Sequence, residues 1–275
     1  ADVPRRGSAA RARCRNRRCA DPRQDRRYRL GRAHGREFLD LRQCGDFLAA
    51  ANDFRDSLLS IGPDTPPEPR WNQDWFPRLD ALAAYVTVRQ VRPARIVEIG
   101  AGHSTRFLAR AVRDGGLNTR ITSFDPEPRA TLNGLSGVEL ICTPIQSAGS
   151  SVVPELVAGD ILFVDSSHKW HPGSDVAFLF DEILPLLVRG CRVHFHDIFL
   201  PGGYPAHWTH RQYNEQVAVA ALVESRAWQI EFASAHAVRH LADEIDRSVA
   251  GEIPLVAGAI ESSLWVRELY DASAT

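Results

Sequence analysis

An alternation of short apolar segments with amphipathic ones, beginning after Pro93, constrains the fold of this chain more than any other feature. The apolar segments have the length and composition of buried strands. They lie at Arg95–Ile99, Arg120–Phe124, Val138–Cys142, Ile161–Val164, Arg192–Phe195, Trp228–Ala233 and Leu264–Arg267. Helical patterns lie between them, at Thr105–Arg113, Ser151–Val157, Asp175–Val188 and Tyr213–Glu224. This alternation predicts an α/β fold with a doubly wound, mostly parallel sheet, and the irregular stretch before the last strand indicates an antiparallel final pair.

The chain before Pro93 has a different composition. Residues 1–36 are crowded with arginine and hold few large apolar side chains, so we predict a loosely attached or disordered tail. An arginine-rich arm that holds RNA is the alternative. Helical spacing of apolar residues at 38–61, a break rich in proline at 62–69 and a second helical pattern at 78–90 predict a helical extension over residues 37–92. The ligand-binding domain is then expected over residues 93–275.

Composition argues against several functional classes. The net charge of -1 gives the chain no electrostatic tendency to bind nucleic acid or an anionic membrane. No apolar run approaches the ~20 residues that cross a bilayer, and no segment has the order of a secretory signal. The five scattered cysteines fit a reducing compartment. We therefore expect a cytoplasmic protein without a membrane partner. Binding of nucleic acid is not favoured by this composition, and the formation of a homo-oligomer is compatible with it.

A glycine-rich turn leads from the first strand into a helix, with the sequence Val-Glu-Ile-Gly-Ala-Gly-His-Ser-Thr at residues 97–105. Its glycines let the backbone turn tightly and approach a ligand, and the free N–H groups of the helix point toward that ligand. A dinucleotide fold has a third glycine where Thr105 stands, and the charge of Glu98 would oppose a pyrophosphate. That charge suits a ligand with an ammonium and a sulfonium, so the turn predicts S-adenosylmethionine; a capping or salt-bridged strand residue is the alternative for Glu98. The expected contacts are Glu98, Gly100, Gly102 and Ser104.

Two later strand ends supply further candidate contacts for the cofactor. Asp125 follows the second strand, where a carboxylate can accept hydrogen bonds from two ribose hydroxyls. Capping of the following turn is the alternative for Asp125. Ile145 and Gln146 follow the third strand, where an adenine ring would lie. Gln146 is therefore a candidate partner for the edge of that ring.

The fourth and fifth strands both end in acidic and histidine side chains. Asp165 and His168 follow the fourth strand, and His196 and Asp197 follow the fifth. The ends of neighbouring parallel strands meet at one edge of a sheet, so these side chains should converge on one cleft, with Asp165 also near the cofactor. In one chemistry, His168 or His196 removes a proton from an attacking hydroxyl beside Asp165. In the other, Asp165, His196 and Asp197 hold Mg²⁺ or another divalent ion. His194 is expected on the opposite face of the sheet from His196, as a structural residue.

A loop rich in glycine and proline, at residues 198–211, follows the fifth strand and is expected to cover the cleft. Aromatic side chains in or near this region are candidates for the wall of a site for the methyl acceptor: Trp75, Trp170, Tyr204 and Trp208. Ordinary packing under a long loop is the alternative for each of them.

The order of these motifs resembles that of the class I S-adenosylmethionine-dependent methyltransferases. The matching segments are Glu98–Thr105, Phe124–Glu127, Val164–His168, Phe195–Asp197 and Ser262–Val266. Within that class the chain is similar to bacterial small-molecule O-methyltransferases, over roughly residues 70–270. The resemblance implies a seven-stranded fold with an antiparallel seventh strand, and cofactor contacts from Glu98, Gly100, Gly102 and Asp125. Metal-dependent relatives usually end the fifth strand in Asp-Asp or Asp-Asn, whereas this chain has His196 and Asp197.

We therefore predict an enzyme that transfers a methyl group from S-adenosylmethionine to a hydroxyl of a small metabolite or sugar. An RNA methyltransferase would instead show steeply salt-dependent RNA binding that disappears without residues 1–36. A cofactor-binding module without catalysis would bind S-adenosylmethionine without turnover, and replacing His168 and His196 by alanine would not change that. An NAD-dependent enzyme would be stabilised by a nicotinamide cofactor rather than by S-adenosylmethionine.

Overall fold

A computed structural model describes residues 39–152, 156–225 and 227–269 of the chain. The arginine-rich tail predicted for residues 1–36, and any arm for RNA within it, lie outside the described residues. The described part of the N-terminal extension is helical, as the sequence indicates. It contains α1 (Leu41–Ala50), a 3₁₀ turn (Ala51–Phe54), α2 (Arg55–Leu59) and α3 (Arg78–Val91). The boundaries expected for the tail (1–36), the helical extension (37–92) and the ligand-binding domain (93–275) stay predictions.

One seven-stranded sheet forms the centre of the described structure. Its strands are β1 (Arg95–Ile99), β2 (Arg120–Phe124), β3 (Val138–Ile141), β4 (Ile161–Val164), β5 (Arg192–Phe195), β6 (Trp228–Ala233) and β7 (Leu264–Glu268). The spatial order is β3-β2-β1-β4-β5-β7-β6, and β7 runs antiparallel to both of its neighbours. This arrangement confirms the predicted doubly wound, mostly parallel sheet. Strand order reverses between β1 and β4, and open α/β sheets bind ligands beyond the carboxyl ends of the strands at such a point.

The remaining helices flank this sheet. They are α4 (His103–Asp114), α5 (Ile145–Ala148), α6 (Asp175–Phe178), α7 (Glu215–Glu224), α8 (Ser234–His240) and α9 (Ala242–Arg247). The helix expected at 175–188 begins as α6 and continues through a π turn (Leu179–Ile183) and a 3₁₀ turn (Leu184–Leu186). The helix expected at 151–157 is not found in its described part, which has a 3₁₀ turn at Ser150–Val152 and no helix at 156–157; residues 153–155 lie outside the described chain.

The extension packs directly against the domain that carries the predicted site. Every residue of α3 from Leu79 to Val88 is buried, and the ring of Phe76 lies 5.7 Å from Phe163 in β4 and 5.5 Å from His196. One hydrophobic core therefore includes both the extension and the sheet. Because of this packing, α3 can contribute side chains to the edge where the candidate residues lie.

Within the described ranges, no helix has the length and apolar character required to span a membrane.

Candidate functional site

The glycine turn after β1 lies directly against the end of β4. Gly100 has a φ of +82°, and a Cβ at this position would stand 2.1 Å from the carbonyl oxygen of Asp165. Only glycine combines this backbone conformation with this close approach. A Cβ at Gly102 would meet no atom within 4 Å, so the space above the turn is open. The turn thus places a bare stretch of backbone beside Asp165.

Glu98 lies beneath the turn rather than facing the open space. Its side chain is fully buried, and its carboxylate accepts hydrogen bonds from the hydroxyls of Ser104, Thr105 and Ser123 at 2.5–2.8 Å. Burial raises the pKa of Glu98 to about 7, although the three hydroxyls oppose this rise. The expected direct contact of Glu98 with the cationic end of a ligand does not fit this enclosure. The buried hydroxyl of Ser104 also points to Glu98, so both residues brace the start of α4.

The raised pKa of Glu98 makes a prediction about stability. The pKa of this carboxyl group in the folded state exceeds its ordinary value of 4.5, so its contribution to stability is fully present only below pH 4.5. The contribution is lost as the pH rises from there to about 7. We expect Glu98→Gln to remove this loss, which amounts to roughly 3 kcal/mol. Urea unfolding of both proteins between pH 5 and pH 8 measures it. Parallel curves of unfolding free energy against pH would contradict it.

Asp125 ends β2 beside the turn and is half-buried. One carboxylate oxygen accepts the Ala101 N–H at 2.8 Å, and the other accepts the Glu127 N–H at 2.7 Å. Each carboxylate oxygen can accept a second hydrogen bond, so the two backbone contacts fix the orientation of Asp125 and leave acceptor capacity on both oxygens. The capping alternative therefore holds in part and does not exclude a ligand.

Gln146 lies in α5, after β3. Its amide nitrogen is 3.5 Å from the carbonyl oxygen of Gly173. Its side-chain oxygen is buried without a hydrogen-bond partner. Unpaired buried acceptors are uncommon in folded proteins and indicate a missing donor. An amino group on the edge of a bound base is a donor of the required kind.

His168 and Asp165 lie together after the carboxyl end of β4, as the sequence indicates. His168 is buried, with Nδ1 2.9 Å from an oxygen of Glu215 and Nε2 3.3 Å from Asp165 Oδ1. Burial alone would lower the pKa of His168, but hydrogen bonds to Asp165 and Glu215 raise it well above its ordinary value of 6.5. Glu215 is itself buried at the start of α7 and accepts from Ser166. A carboxylate on Nδ1 therefore fixes the ring and directs Nε2 toward Asp165.

His196 and Asp197 complete the cluster. His196 Nδ1 is 3.3 Å from Asp165 Oδ1, and its Nε2 is 3.4 Å from Asp80 of α3. Burial opposes the positive charge of this ring, but Asp165 and Asp197 raise the pKa of His196 well above its ordinary value. Asp197 accepts from the hydroxyl of Ser262 at 3.0 Å and lies 3.5 Å from His168 Nε2. All four predicted side chains thus meet in one cluster.

Two residues of the cluster adopt backbone conformations that favour glycine. His168 has a φ of +59° and Asp197 a φ of +56°. Non-glycine residues in this region cost about 1–3 kcal/mol each and concentrate at functional sites. The strain is consistent with a local fold shaped to orient these side chains.

The predicted divalent metal is not supported. Among the described residues, no group of three or more His, Cys, Asp or Glu side chains is arranged to hold a metal ion. Both ring nitrogens of His196 already face carboxylates, and Asp165 and Asp197 each face an imidazole. Mg²⁺ prefers sites built from oxygen ligands, and this interleaving of imidazoles and carboxylates does not provide one.

His194 does not point away from His196 as expected. Residues two apart in a strand share a face, and the two rings stack 6.0 Å apart. His194 lies deeper, fully buried, with Nε2 2.8 Å from the Ser263 hydroxyl. Burial lowers the pKa of His194 well below its ordinary value. A neutral ring in these surroundings fits the structural role predicted for it.

The aromatic candidates for the acceptor wall fall into two groups. Tyr204 and Trp208 lie about 6 Å from the ring of Tyr213, which packs 4.6 Å from His168. Trp170 instead stacks on Phe180. Trp75 is 60% exposed and lies against Arg129, after β2, on the side of Asp125. The structure therefore places Tyr204 and Trp208 against the ring that packs on His168, whereas the ring of Trp170 packs on Phe180 and Trp75 lies beside Arg129.

Residues 97–198, which run from β1 past the end of β5, match the family model described as a methyltransferase domain. This segment is a methyltransferase domain. The match contains the glycine turn, Asp125 and all four members of the His168 cluster. It confirms the methyltransferase predicted from the order of the motifs, on the fold predicted with it.

Solved structures with a similar arrangement include methyltransferases from fungi and bacteria. They are the methyltransferase PaMTH1 of Podospora anserina bound to SAH (18% identity, 82% of this chain and 88% of that chain, TM-score 0.45), the O-methyltransferase TomG of Streptomyces achromogenes in complex with SAM (14%, 82% and 90%, 0.41), and an O-methyltransferase of Bacillus cereus in complex with SAH (12%, 81% and 90%, 0.40). A search of curated protein sequences found no match.

Two buried carboxylates of the candidate site were not predicted from the sequence. Asp80 accepts backbone N–H groups of Ser262 and Ser263 at 2.8–3.0 Å and faces His196. Glu215 orients His168 from the first turn of α7. In the sequence, an acidic residue in the first turn of a helix is indistinguishable from one that favours the helix dipole. Only its burial reveals the second role.

Proposed function

We propose that this methyltransferase uses S-adenosylmethionine to methylate a hydroxyl of a small acceptor, with His168 as the general base. The observation that supports this most is the position of His168. Its Nδ1 is held by Glu215, while its Nε2 faces Asp165, whose backbone touches the glycine turn. A proton acceptor and a ligand-binding turn are thus contiguous. General bases of this kind contribute about 10²–10⁴-fold to a rate.

The residues around the turn fit the parts of S-adenosylmethionine. The remaining acceptor capacity of Asp125 suits two ribose hydroxyls, and the unpaired oxygen of Gln146 suits the amino group of adenine. Asp165 replaces Glu98 as the candidate for the cationic end, because its side chain is 35% exposed beside Gly100. When bound, S-adenosylmethionine supplies a methyl group made electrophilic by its sulfonium.

The cluster then has to position the acceptor and remove its proton. His168 must be neutral to do so, with Nε2 accepting the hydroxyl proton and Glu215 stabilising the cation that forms. Alignment of the hydroxyl with the methyl group contributes further, up to about 7–11 kcal/mol in well-oriented reactions. The ring of Tyr213 packs on His168, and the rings of Tyr204 and Trp208 pack on Tyr213, so aromatic side chains limit the space beside the base and suit a small acceptor.

Calorimetric titration with S-adenosylhomocysteine tests the cofactor half of this proposal. We expect Asp125→Asn to weaken binding roughly 10- to 100-fold, because hydrogen bonds to a charged group contribute about 1.5–3 kcal/mol. Glu127→Gln is the matched control, since this exposed neighbour interacts with Asp125 through its backbone only. No binding to the wild type, or equal affinity in Asp125→Asn, would refute the assigned cofactor site.

A further inference from the structure

Arg211 is an incompletely paired cation beside the reaction centre. It ends the 3₁₀ turn Ala206–Arg211, and its side chain is 38% exposed. Its guanidinium lies 4.0 Å from the ring centre of Trp208 and 5.5 Å from that of Tyr213. Stacking on these rings holds the planar group in one orientation.

The acidic neighbour of Arg211 does not saturate it. Its Nη1 is 3.8 Å from Asp197 Oδ2, beyond hydrogen-bond distance, and 3.4 Å from the hydroxyl of Tyr213. By contrast, Arg78 forms a complete ion pair, in which its guanidinium donates two hydrogen bonds to Glu261 at 2.9 and 3.0 Å. A guanidinium has five N–H donors. Most of those on Arg211 have no acceptor among the described residues.

Asp197 Oδ2 lies close to both Arg211 and the candidate base, and this limits the distance between them. Asp197 Oδ2 is 3.5 Å from His168 Nε2 and 3.8 Å from Arg211 Nη1. The two nitrogens are therefore at most about 7.3 Å apart. A hydroxyl bound at His168 and a second group bound at Arg211 can belong to one small molecule.

We propose that Arg211 determines acceptor specificity by binding a carboxylate of the acceptor, so that the substrate class is a small hydroxylated carboxylic acid. The inference rests on the proposed function, because it takes His168 as the place where the hydroxyl binds. A planar carboxylate matches the fork of a guanidinium and forms two parallel hydrogen bonds with it. A phosphate dianion fits less well, because Arg211 is a single cation that already has Asp197 3.8 Å away, and Asp165 and Glu215 contact the neighbouring His168 and repel a doubly charged group.

The test compares 4-hydroxybenzoate with 4-hydroxybenzamide, which has the same ring and hydroxyl but a neutral amide in place of the carboxylate, and uses their 3-hydroxy isomers as a second pair. Each is titrated by calorimetry into the full chain saturated with S-adenosylhomocysteine. We expect the wild type to bind at least one benzoate roughly 10- to 100-fold more tightly than its amide, the range for hydrogen bonds to a charged group. Arg211→Gln should abolish that preference, and Arg211→Lys, which keeps the charge without the fork, should retain part of it.

Arg247→Gln is the matched control, because Arg247 is 71% exposed and paired with Glu244 on α9. It should bind all probes as the wild type does. Equal binding of benzoate and benzamide by the wild type, no detectable binding of either pair, or an unchanged preference in Arg211→Gln would each overturn the proposal. Titration of every variant with S-adenosylhomocysteine comes first. Loss of that binding in the wild type would defeat the proposed function, whereas cofactor binding without a benzoate preference would defeat only the role of Arg211.

Discussion

Replacing His168 by glutamine should lower kcat for methyl transfer about 10²- to 10⁴-fold, the contribution of a general base, and leave the affinity for S-adenosylhomocysteine within a few-fold of wild type. Glutamine keeps a polar side chain at the site but does not accept the proton of the hydroxyl. The assay needs an acceptor found by screening hydroxylated compounds. His171→Gln is the control, because this exposed histidine lies only three residues further along the chain.

The pH profile separates a proton acceptor from a residue that only supports the fold. His168 acts as a base when neutral, and its raised pKa means that kcat should rise with pH through that elevated value. Glu215→Gln removes one of the hydrogen bonds that raise the pKa, so the rising limb should move to lower pH while the maximal rate falls. A His168→Gln variant with normal kcat, or a rising limb unmoved in Glu215→Gln, would show that another group takes the proton.

Gly100→Ala should destabilise the fold and abolish binding of S-adenosylhomocysteine. An alanine at this left-handed position costs about 1–2 kcal/mol. Its Cβ would also stand 2.1 Å from the carbonyl oxygen of Asp165, so the turn and β4 must separate. Overpacking of this kind typically adds about 1–3 kcal/mol. Urea unfolding measures the loss of stability, and calorimetry measures the loss of binding.

Gly102→Ala provides the matched comparison. Its φ of −178° is extended backbone, and the added Cβ meets no protein atom within 4 Å. We expect near wild-type stability but weaker cofactor binding, because the methyl group would occupy the open space above the turn. If the two alanine variants had the same stability, the close contact between the turn and β4 would be wrong. If Gly102→Ala bound the cofactor normally, the ligand would not lie above the turn.

Acidic residues from distant parts of the chain surround the proposed base and determine its charge. The imidazoles of His168 and His196 lie between carboxylates, so they stay positively charged at pH values well above their ordinary pKa. Approach of a sulfonium would favour the neutral form of a nearby imidazole, because like charges repel. The binding of S-adenosylmethionine would then also prepare His168 to accept a proton.

Much of the scaffold can be predicted from the sequence alone. Five of the seven strands have the predicted limits, and the other two differ by one residue at one end. Buried parallel strands are short apolar runs between turns, so their signal is local in the sequence. Candidate residues that end these strands, such as Asp165 and Asp197, could be placed at one edge because parallel strands all end on the same side of the sheet.

The tertiary structure decided which side chains take part in the site. Asp80 reaches His196 across 116 residues of sequence, and Glu215 reaches His168 across 47. Conversely, Glu98 was expected at the ligand but is enclosed by three hydroxyls. The sequence determines the strands and the turn because their signals lie within a few residues. Burial, hydrogen-bond partners and the charge of each imidazole depend on segments that only folding brings into contact.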